Sequence, residues 1–432
     1  MTRSFTSFPV YNFEETKLKM LNWANRFNIC CLLDNHHYNF SHHRYECIVA
    51  AGCTHSLSVQ AGSAFKRLQE FIDTHSDWMF GHLAYDLKNE IEVLQSSGFD
   101  GIQFPDLFFF VPQIILQLDE SNLSVGSLNK DHEEIYHQVI TSESKSADTL
   151  SNQIDVRSRI SKKKYIETIN HLLNHIQRGD CYEINFCQEF YSEDTAIDPI
   201  TTYKSLSDTS PNPYSAFYKL EDKYLLCASP ERYLKKTGLN ILSQPIKGTW
   251  QRNIESYEGD ETNRRSLTSS TKDRSENVMV VDLVRNDLSK VCLEGSVKVD
   301  ELFGVYEFPQ LFQMISTVSG SLKPGISISE ILKATFPMGS MTGAPKKKVM
   351  ELIEKYEVTR RGIFSGTLGY ISPEKDFDLN VVIRSILYNS SGRYLSFPAG
   401  SGITFYSDPE KEYEECLLKA MAIKKVLAGN QY

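Results

Sequence analysis

Short apolar runs and one amphipathic segment alternate along the first 126 residues. Residues 27–33 and 45–51 are apolar runs of strand length, and each is followed by a polar or glycine-containing loop. Over residues 61–75 the apolar side chains recur at helical spacing, which predicts a helix with one buried side. Residues 78–85 and 107–118 are further strand-like stretches. We therefore predict an N-terminal region, residues 1–126, that contains strands and one helix.

Residues 127–160 are mostly polar and contain few large apolar side chains. This composition predicts a surface connection between the N-terminal region and the remainder, residues 161–432. Ser161 opens that remainder as the cap of a segment with helical spacing, which Gly179 ends. The pattern indicates a mixed α/β fold and goes no further than that.

Three later segments have periodicities that bear on chemistry. Residues 182–186 alternate as a strand does, which places Glu183 on the side opposite to the apolar residues. A long helical pattern covers residues 271–291. Asp408, followed by proline, is typical of the start of a helix, here the last one.

Composition excludes several classes of protein. The chain has 432 residues, 41% of them hydrophobic, and a net charge of -9 with scattered cations, which argues against a nucleic-acid surface. Apolar runs long enough for a membrane span and the apolar core of a signal peptide are both missing from the sequence. Nine irregularly spaced cysteines indicate reduced thiols, so we predict a cytoplasmic protein without membrane contact. An anionic substrate would need local cations or a metal ion.

A lysine beside a glycine stands out in the segment Pro245-Ile246-Lys247-Gly248-Thr249. The glycine allows a sharp turn or a close approach to a ligand. The lysine is a point charge for an anion, an amine nucleophile if its surroundings lower its pKa, or an ordinary surface charge.

Two helical patterns present paired acids. Asp273 and Glu276 lie three residues apart, and Glu412, Glu415 and Lys419 share one stripe of the last helix. Carboxylates with no histidine or cysteine partner suit Mg²⁺. Solvated helix faces are the alternative interpretation of both pairs.

Further residues are suited to bind an anion. Arg384 interrupts an apolar run at 379–387, which predicts a strand with one arginine that needs a carboxylate or phosphate partner, or a structural acid. Residues 399–403 predict a glycine-rich turn with free backbone donors around Gly400 and Gly402.

Seven segments follow one another along the chain: Ser229-Pro230-Glu231-Arg232, 245–249, 272–277, 282–287, 339–346, Ile383-Arg384 and 412–415. Their order and their residues resemble those of the chorismate-utilising enzymes. The resemblance covers residues 160–428 strongly and the N-terminal region weakly. It implies an α+β fold, a large two-part α/β sandwich with mostly antiparallel sheets and outer helices, with the site between its halves. Residues 161–432 would then be the chorismate-binding catalytic region.

The resemblance also implies a reaction. Lys247 stands where members that make anthranilate have alanine, and it is similar to the branch of the family that aminates C4 of chorismate. Lys247 would attack C2 and form a covalent adduct, and ammonia would then enter at C4 to give 4-amino-4-deoxychorismate on the route to 4-aminobenzoate and folate. Glu231 would be the general acid for the departing hydroxyl.

Binding roles follow from the same resemblance. Glu276 and Glu415 would hold Mg²⁺, with Asp273 and Glu412 around it. The enolpyruvyl carboxylate would be received by Arg384, Lys419, Gly400 and Gly402. Gly248 and Thr249 would line the ring site.

Two residues depart from the family pattern. Glu183 stands where water-activating members have lysine, which argues against an isochorismate or salicylate synthase. Gln313 stands where many members have histidine, and glutamine has no charged form near neutral pH.

The sequence contains no Gly-x-Cys-x-Gly nucleophile turn, so a partner glutamine amidotransferase subunit is expected to supply the ammonia. No lyase segment is evident after residue 428, so aminodeoxychorismate is the expected product. An anthranilate synthase component I with an unusual lysine, and a non-catalytic chorismate-binding subunit, are the alternatives.

Overall fold

Strands that run antiparallel to their neighbours build most of the protein. A computed structural model describes residues 3–39, 42–143, 154–309 and 311–429. The α-helices of these residues are α1 (Phe13–Ala24), α2 (Ala64–Thr74), α3 (Lys88–Glu92), α4 (His132–Ile140), α5 (Lys162–Gln177), α6 (Pro199–Thr209), α7 (Tyr257–Ser269), α8 (Thr271–Val291), α9 (Ile328–Thr335), α10 (Lys346–Tyr356) and α11 (Pro409–Ala428).

The strands are as follows. The first nine are β1 (Ser4–Pro9), β2 (Ile29–Asp34), β3 (Cys47–Ala51), β4 (His55–Val59), β5 (Met79–Leu83), β6 (Leu107–Val111), β7 (Ile114–Leu118), β8 (Asn122–Ser127) and β9 (Arg157–Ser158). The others are β10 (Glu183–Ser192), β11 (Tyr214–Leu220), β12 (Lys223–Ser229), β13 (Arg232–Thr237), β14 (Asn240–Gln244), β15 (Ile246–Gln251), β16 (Lys298–Glu307), β17 (Leu311–Ser321), β18 (Gly343–Ala344), β19 (Thr367–Ile371), β20 (Phe377–Asn380), β21 (Ser385–Asn389) and β22 (Tyr394–Thr404).

Within the described residues these strands form two sheets. The first sheet has the order β1-β8-β7-β3-β2-β11-β12-β21-β22-β10-β18, with β9 beside β10. The second has the order β15-β17-β14-β13-β20-β19-β5-β6-β4, with β16 beside β17. The N-terminal strands contribute to both sheets, since β2 pairs with β11 and β5 pairs with β19. The expected α+β sandwich with antiparallel sheets and outer helices is confirmed.

Burial on both faces explains the unbroken apolar runs of the first sheet. Along β2, Cys31 belongs to the core shared with the second sheet, whereas Cys30 and Leu32 belong to the core under the outer helices. Successive side chains of a strand point to opposite faces, so a strand covered on both sides has no polar alternation.

Local signals placed several helices correctly. The predicted helix at 271–291 is α8, and the predicted cap of α5 is present because the Ser161 side chain accepts from the amide of Lys164 at 3.2 Å. The Asp408 carboxylate likewise accepts from the amides of Glu410 and Lys411 at the start of α11. No described helix has both the length and the apolar character that a membrane span requires.

Two local predictions were wrong. The expected strand at 379–387 is interrupted, because β20 lies in the second sheet and β21 in the first, and the chain crosses between them. Arg384 lies at this crossing with a φ of 51°, in the left-handed region. The expected turn at 399–403 is instead part of the continuous strand β22.

The expected connection at 127–160 contains α4 and β9, and its residues 144–153 lie outside the described residues. The division into an N-terminal region, a connection and a catalytic region stays a prediction.

Candidate functional site

A cavity of about 720 Å³ lies where β10 and β22 of the first sheet meet β15 of the second and helices α8 and α11. Nearly all residues singled out from the sequence lie on its wall: Glu231, Lys247, Gly248, Thr249, Asp273, Glu276, Arg384, Gly400, Gly402, Glu415 and Lys419. Glu412 is buried behind the wall, where Lys272 reaches it. Segments up to 240 residues apart in sequence, from Asn185 to Lys425, therefore meet around one space.

A local irregularity of β15 directs Lys247 into this cavity. The pairing of β15 with β17 shifts register between Ile246 and Thr249, as in a β-bulge, which re-aims a side chain. Gly248 has a φ of 93°, and a Cβ there would lie 3.0 Å from the Cβ of Asp273. Glycine is thus required twice at this bulge, for its backbone conformation and for space.

Lys247 is ion-paired at the cavity wall. Its Nζ lies 2.5 Å from Oε1 of Glu183, which is 1% exposed. Burial would lower the pKa of Lys247, but Glu183, Glu276 and Glu231 outweigh it, and the pKa stands well above its ordinary value. The resting side chain is therefore an ammonium, and the lowered pKa that a ready nucleophile would show is absent at this residue.

Gly402 of β22 leaves space for this ion pair. A Cβ at this position would lie 2.9 Å from Nζ of Lys247 and 3.2 Å from Oε1 of Glu183. Any larger residue would displace the ammonium or the carboxylate.

Glu231 follows the end of β12 and is 4% exposed. Burial raises the pKa of its carboxyl to about 7, and the nearby charges of Lys247 and Arg384 reduce the rise. A carboxyl with this pKa is substantially protonated at neutral pH, which is the state that a general acid needs.

Arg384 presents a guanidinium with a neutral partner. With the amide oxygen of Gln313 turned toward it, Nη1 and Nη2 both donate to that oxygen at 3.0 Å. Burial lowers the pKa of Arg384 to about 10, and Glu231 opposes this effect. Because a neutral amide holds the guanidinium, its charge remains available to a carboxylate.

The acids on α8 and α11 face each other across a lysine. Nζ of Lys272 lies 3.2 Å from Oε1 of Glu412 and 3.8 Å from Oε1 of Glu276. One buried oxygen of each acid, Oε1 of Glu276 and Oε2 of Glu412, has no hydrogen-bond partner among the described residues. Burial raises the pKa of Glu276 to about 7.

The other two predicted ligands are placed differently. Glu415 pairs with Lys419 at 2.8 Å, which lowers the pKa of Glu415. Lys419 also donates to the carbonyl of Gly400 at 3.1 Å. Asp273 accepts from the indole nitrogen of Trp250 at 3.4 Å.

The donor set allows a limited conclusion about a metal ion. Within the described residues no group of three or more histidine, cysteine, aspartate or glutamate side chains is arranged to hold one. Within the described residues, one oxygen each of Glu276 and Glu412 accepts no hydrogen bond, and such oxygens fit Mg²⁺. This ion takes one or two carboxylates and completes its shell with water and substrate oxygens. The residues present fit a metal ion held in part by substrate.

Three residues at the site were not assigned a role from the sequence. Glu183 was noted only as a departure from a pattern, Gln313 only as a replacement for histidine, and Lys272 only as part of a motif. A carboxylate in an apolar strand was the one signal that could have identified Glu183, because a buried charge needs a partner.

The chain is similar to known proteins of one family. The family model described as chorismate binding enzyme matches residues 29–425. The chain is 34% identical over 350 residues to aminodeoxychorismate synthase component 1 of Escherichia coli (strain K12), with 80% of this chain and 76% of that protein covered.

Two further known proteins are similar to this chain. The probable chloroplastic aminodeoxychorismate synthase of Oryza sativa subsp. japonica is 34% identical over 395 residues, which are 82% of this chain and 44% of that protein. The chain thus spans less than half of that relative. The crystal structure of anthranilate synthase component I from Streptococcus pneumoniae TIGR4 matches with a TM-score of 0.79 at 25% identity, covering 88% of this chain and 92% of that one.

Proposed function

The chain belongs to the family of chorismate-binding enzymes, and from this premise we propose that it aminates chorismate at C4 with ammonia to give 4-amino-4-deoxychorismate. The observation that carries the proposal is that the side chain of Lys247 lies on the wall of the same cavity as the carboxyl of Glu231, whose pKa is about 7. Relatives named aminodeoxychorismate synthase support the same activity.

The reaction divides one difficult substitution into two easier ones. The amine of Lys247 attacks C2 of the ring, both conjugated ring double bonds shift by one position, and the C4–oxygen bond breaks. Glu231 gives its proton to the departing hydroxyl, which leaves as water. Ammonia then attacks C4, both double bonds shift back, and the C2–nitrogen bond to Lys247 breaks.

Two cations of the cavity wall would bind the substrate. Arg384 and Lys419 would receive the enolpyruvyl carboxylate, beside the backbone of Gly400 and Gly402, while Gly248 and Thr249 line the ring site. The neutral support of Arg384 by Gln313 favours this role, because the guanidinium charge is not neutralised there.

Mg²⁺ is the cofactor that we propose. Glu276 and Glu415 would hold it, with Asp273 and Glu412 around it, and the unpaired oxygens of Glu276 and Glu412 support this choice. When bound, the ion would neutralise the ring carboxylate and polarise the substrate.

Ammonia would come from a glutamine amidotransferase partner, and the product would serve the synthesis of 4-aminobenzoate and folate. These two assignments rest on the resemblance of the sequence to the family.

Amination at C2 to anthranilate is the second candidate, favoured by the match to an anthranilate synthase structure. Lys247 argues against it, because its amine competes with ammonia for C2.

Product identity separates the two candidates. The protein is incubated with chorismate, Mg²⁺ and ammonium at pH 8, and products are identified by liquid chromatography and mass spectrometry. We expect aminodeoxychorismate, a covalent adduct on Lys247 when ammonia is omitted, and neither from Lys247→Ala. Lys298→Ala, which removes an exposed lysine of the same sheet, is the control. Formation of anthranilate by the wild-type protein, or full turnover by a Glu231→Gln/Lys247→Ala double variant, contradicts the proposal.

A further inference from the structure

Lys247, which is ion-paired with Glu183, must change its protonation state before it can react. An ammonium has no lone pair, so Lys247 must lose a proton before it attacks C2. Among the described residues Lys247 forms an ion pair with Glu183 alone. The second oxygen of that carboxylate, Oε2, is buried and has no hydrogen-bond partner in the part of the chain that the structure describes.

We propose that Glu183 is the proton acceptor that converts the Lys247 ammonium into the attacking amine and returns the proton when the lysine is released. The proposal rests on the proposed function, in which Lys247 forms the adduct. Since Glu183 touches the reacting nitrogen at 2.5 Å, its role is catalytic.

The proton balance closes over one turnover. Glu183 takes one proton from the ammonium, and the neutral amine bonds to C2 as a secondary ammonium while water leaves with the proton of Glu231. Ammonia bonds to C4 as an ammonium, and the C2–nitrogen electron pair returns to Lys247 as a neutral amine. Glu183 gives its proton back to that amine, and the new C4 ammonium gives one proton to Glu231. Chorismate and ammonia have become aminodeoxychorismate and water, and both acids are as they began.

The other charged groups that face Lys247 are less suited to this task. Glu231, beyond β12, must carry the proton for the leaving hydroxyl. Glu276 on α8 lies near Lys272, and Glu415 on α11 is paired with Lys419. Glu183 on β10 has the geometry for direct transfer, with one oxygen at hydrogen-bond distance from Nζ.

Burial makes the transfer feasible. Desolvation disfavours the charged forms of both partners, so a carboxylate and an ammonium in contact approach the energy of a carboxyl and an amine. Glu183 is 1% exposed and Lys247 10% exposed, and substrate in the cavity would remove more water. Gly402 allows the two side chains to stay in contact, because the absence of a Cβ leaves space for both atoms.

The test measures adduct formation directly. Wild-type protein, Glu183→Gln, Glu183→Asp and Lys247→Ala are mixed with chorismate and Mg²⁺ without ammonia, quenched at short times, and weighed by intact-mass spectrometry from pH 6 to 10. Glu189→Gln makes the same exchange on the same strand, at an acid that pairs with Arg159, and is the control. Thermal unfolding of each variant checks that it is folded.

We expect Glu183→Gln to form the adduct about a hundredfold more slowly than wild type at pH 7. Its rate should rise with pH, because the proton must then leave to solvent, whereas the wild-type rate should vary little. Glu183→Asp should be slower than wild type but keep the flat profile, and it carries the test if the glutamine variant does not fold.

A different outcome would overturn the inference without touching the proposed function. If Glu183→Gln forms the adduct at pH 7 as fast as wild type or faster, Glu183 only holds the amine protonated as a counter-ion. Failure of the wild-type protein to form any adduct instead contradicts the proposed function itself.

Discussion

Removal of Lys247 should destabilise the protein through the acid that it leaves behind. In Lys247→Ala the carboxylate of Glu183, 1% exposed, keeps no ion-pair partner. Breaking a buried pair in this way typically costs several kcal/mol because one charge stays desolvated. Water from the adjoining cavity reduces that cost, so we expect a loss of about 3 kcal/mol in the free energy of unfolding at pH 8. The double variant Lys247→Ala/Glu183→Gln should lose less than about half as much, since it buries no charge.

Urea unfolding followed by tryptophan fluorescence at pH 8 measures these differences. Lys298→Ala, an exposed lysine paired with Asp300, should change the stability by less than about 0.5 kcal/mol. The reasoning is refuted if Lys247→Ala costs less than about 1 kcal/mol at pH 8, or if the double variant is less stable than the single one.

The remaining predictions concern other parts of the cavity. Because the pKa of Glu231 is about 7, this acid deprotonates as pH rises above 7, and kcat/KM should fall. The variant Glu231→Gln should lose about 10²–10⁴-fold in kcat, and its residual rate should no longer fall above pH 7. Gln313→Leu should raise KM for chorismate about tenfold with a smaller change in kcat, because Arg384 loses the acceptor that orients it, and an unchanged KM contradicts this role. Lys272→Met should bind Mg²⁺ several-fold more tightly in calorimetry, because the cation beside Glu276 is gone, and weaker binding would reverse the interpretation.

The parts of the fold that the sequence predicts are those fixed by local physics. Helix α8 matches its predicted bounds because apolar spacing, a Ser270 cap and favourable residues act within a few turns. The break before Arg384 has no such signal. Residues on both sides of it are apolar, and the chain breaks there because β20 and β21 belong to different sheets. A change of sheet is a tertiary event that no window of the sequence contains.

The same limit applies to the site. Spacing places Asp273 and Glu276 on one face of a helix, yet it carries no information about which face of α11 they meet. Alternation in β10 correctly predicts a strand at Glu183, but it predicts an outward side chain. Helices and the second sheet cover β10 on both faces, so the acid is buried and must pair with Lys247.

The charge balance of the cavity explains why a divalent cation belongs to the proposed mechanism. Six acids and five cations lie in or directly behind the wall. The acids are Glu183, Glu231, Asp273, Glu276, Glu412 and Glu415, and the cations are Lys247, Lys272, Arg384, Lys419 and Lys425. A dianionic substrate would add to this excess of negative charge and would be repelled. Protonation of Glu231 and Glu276, each with a pKa of about 7, relieves the excess only at neutral pH and below. A bound Mg²⁺ would offset it at any pH. Affinity for chorismate should therefore depend on Mg²⁺ more steeply at pH 8.5 than at pH 6.5, and equal dependence at both would remove this argument for the metal.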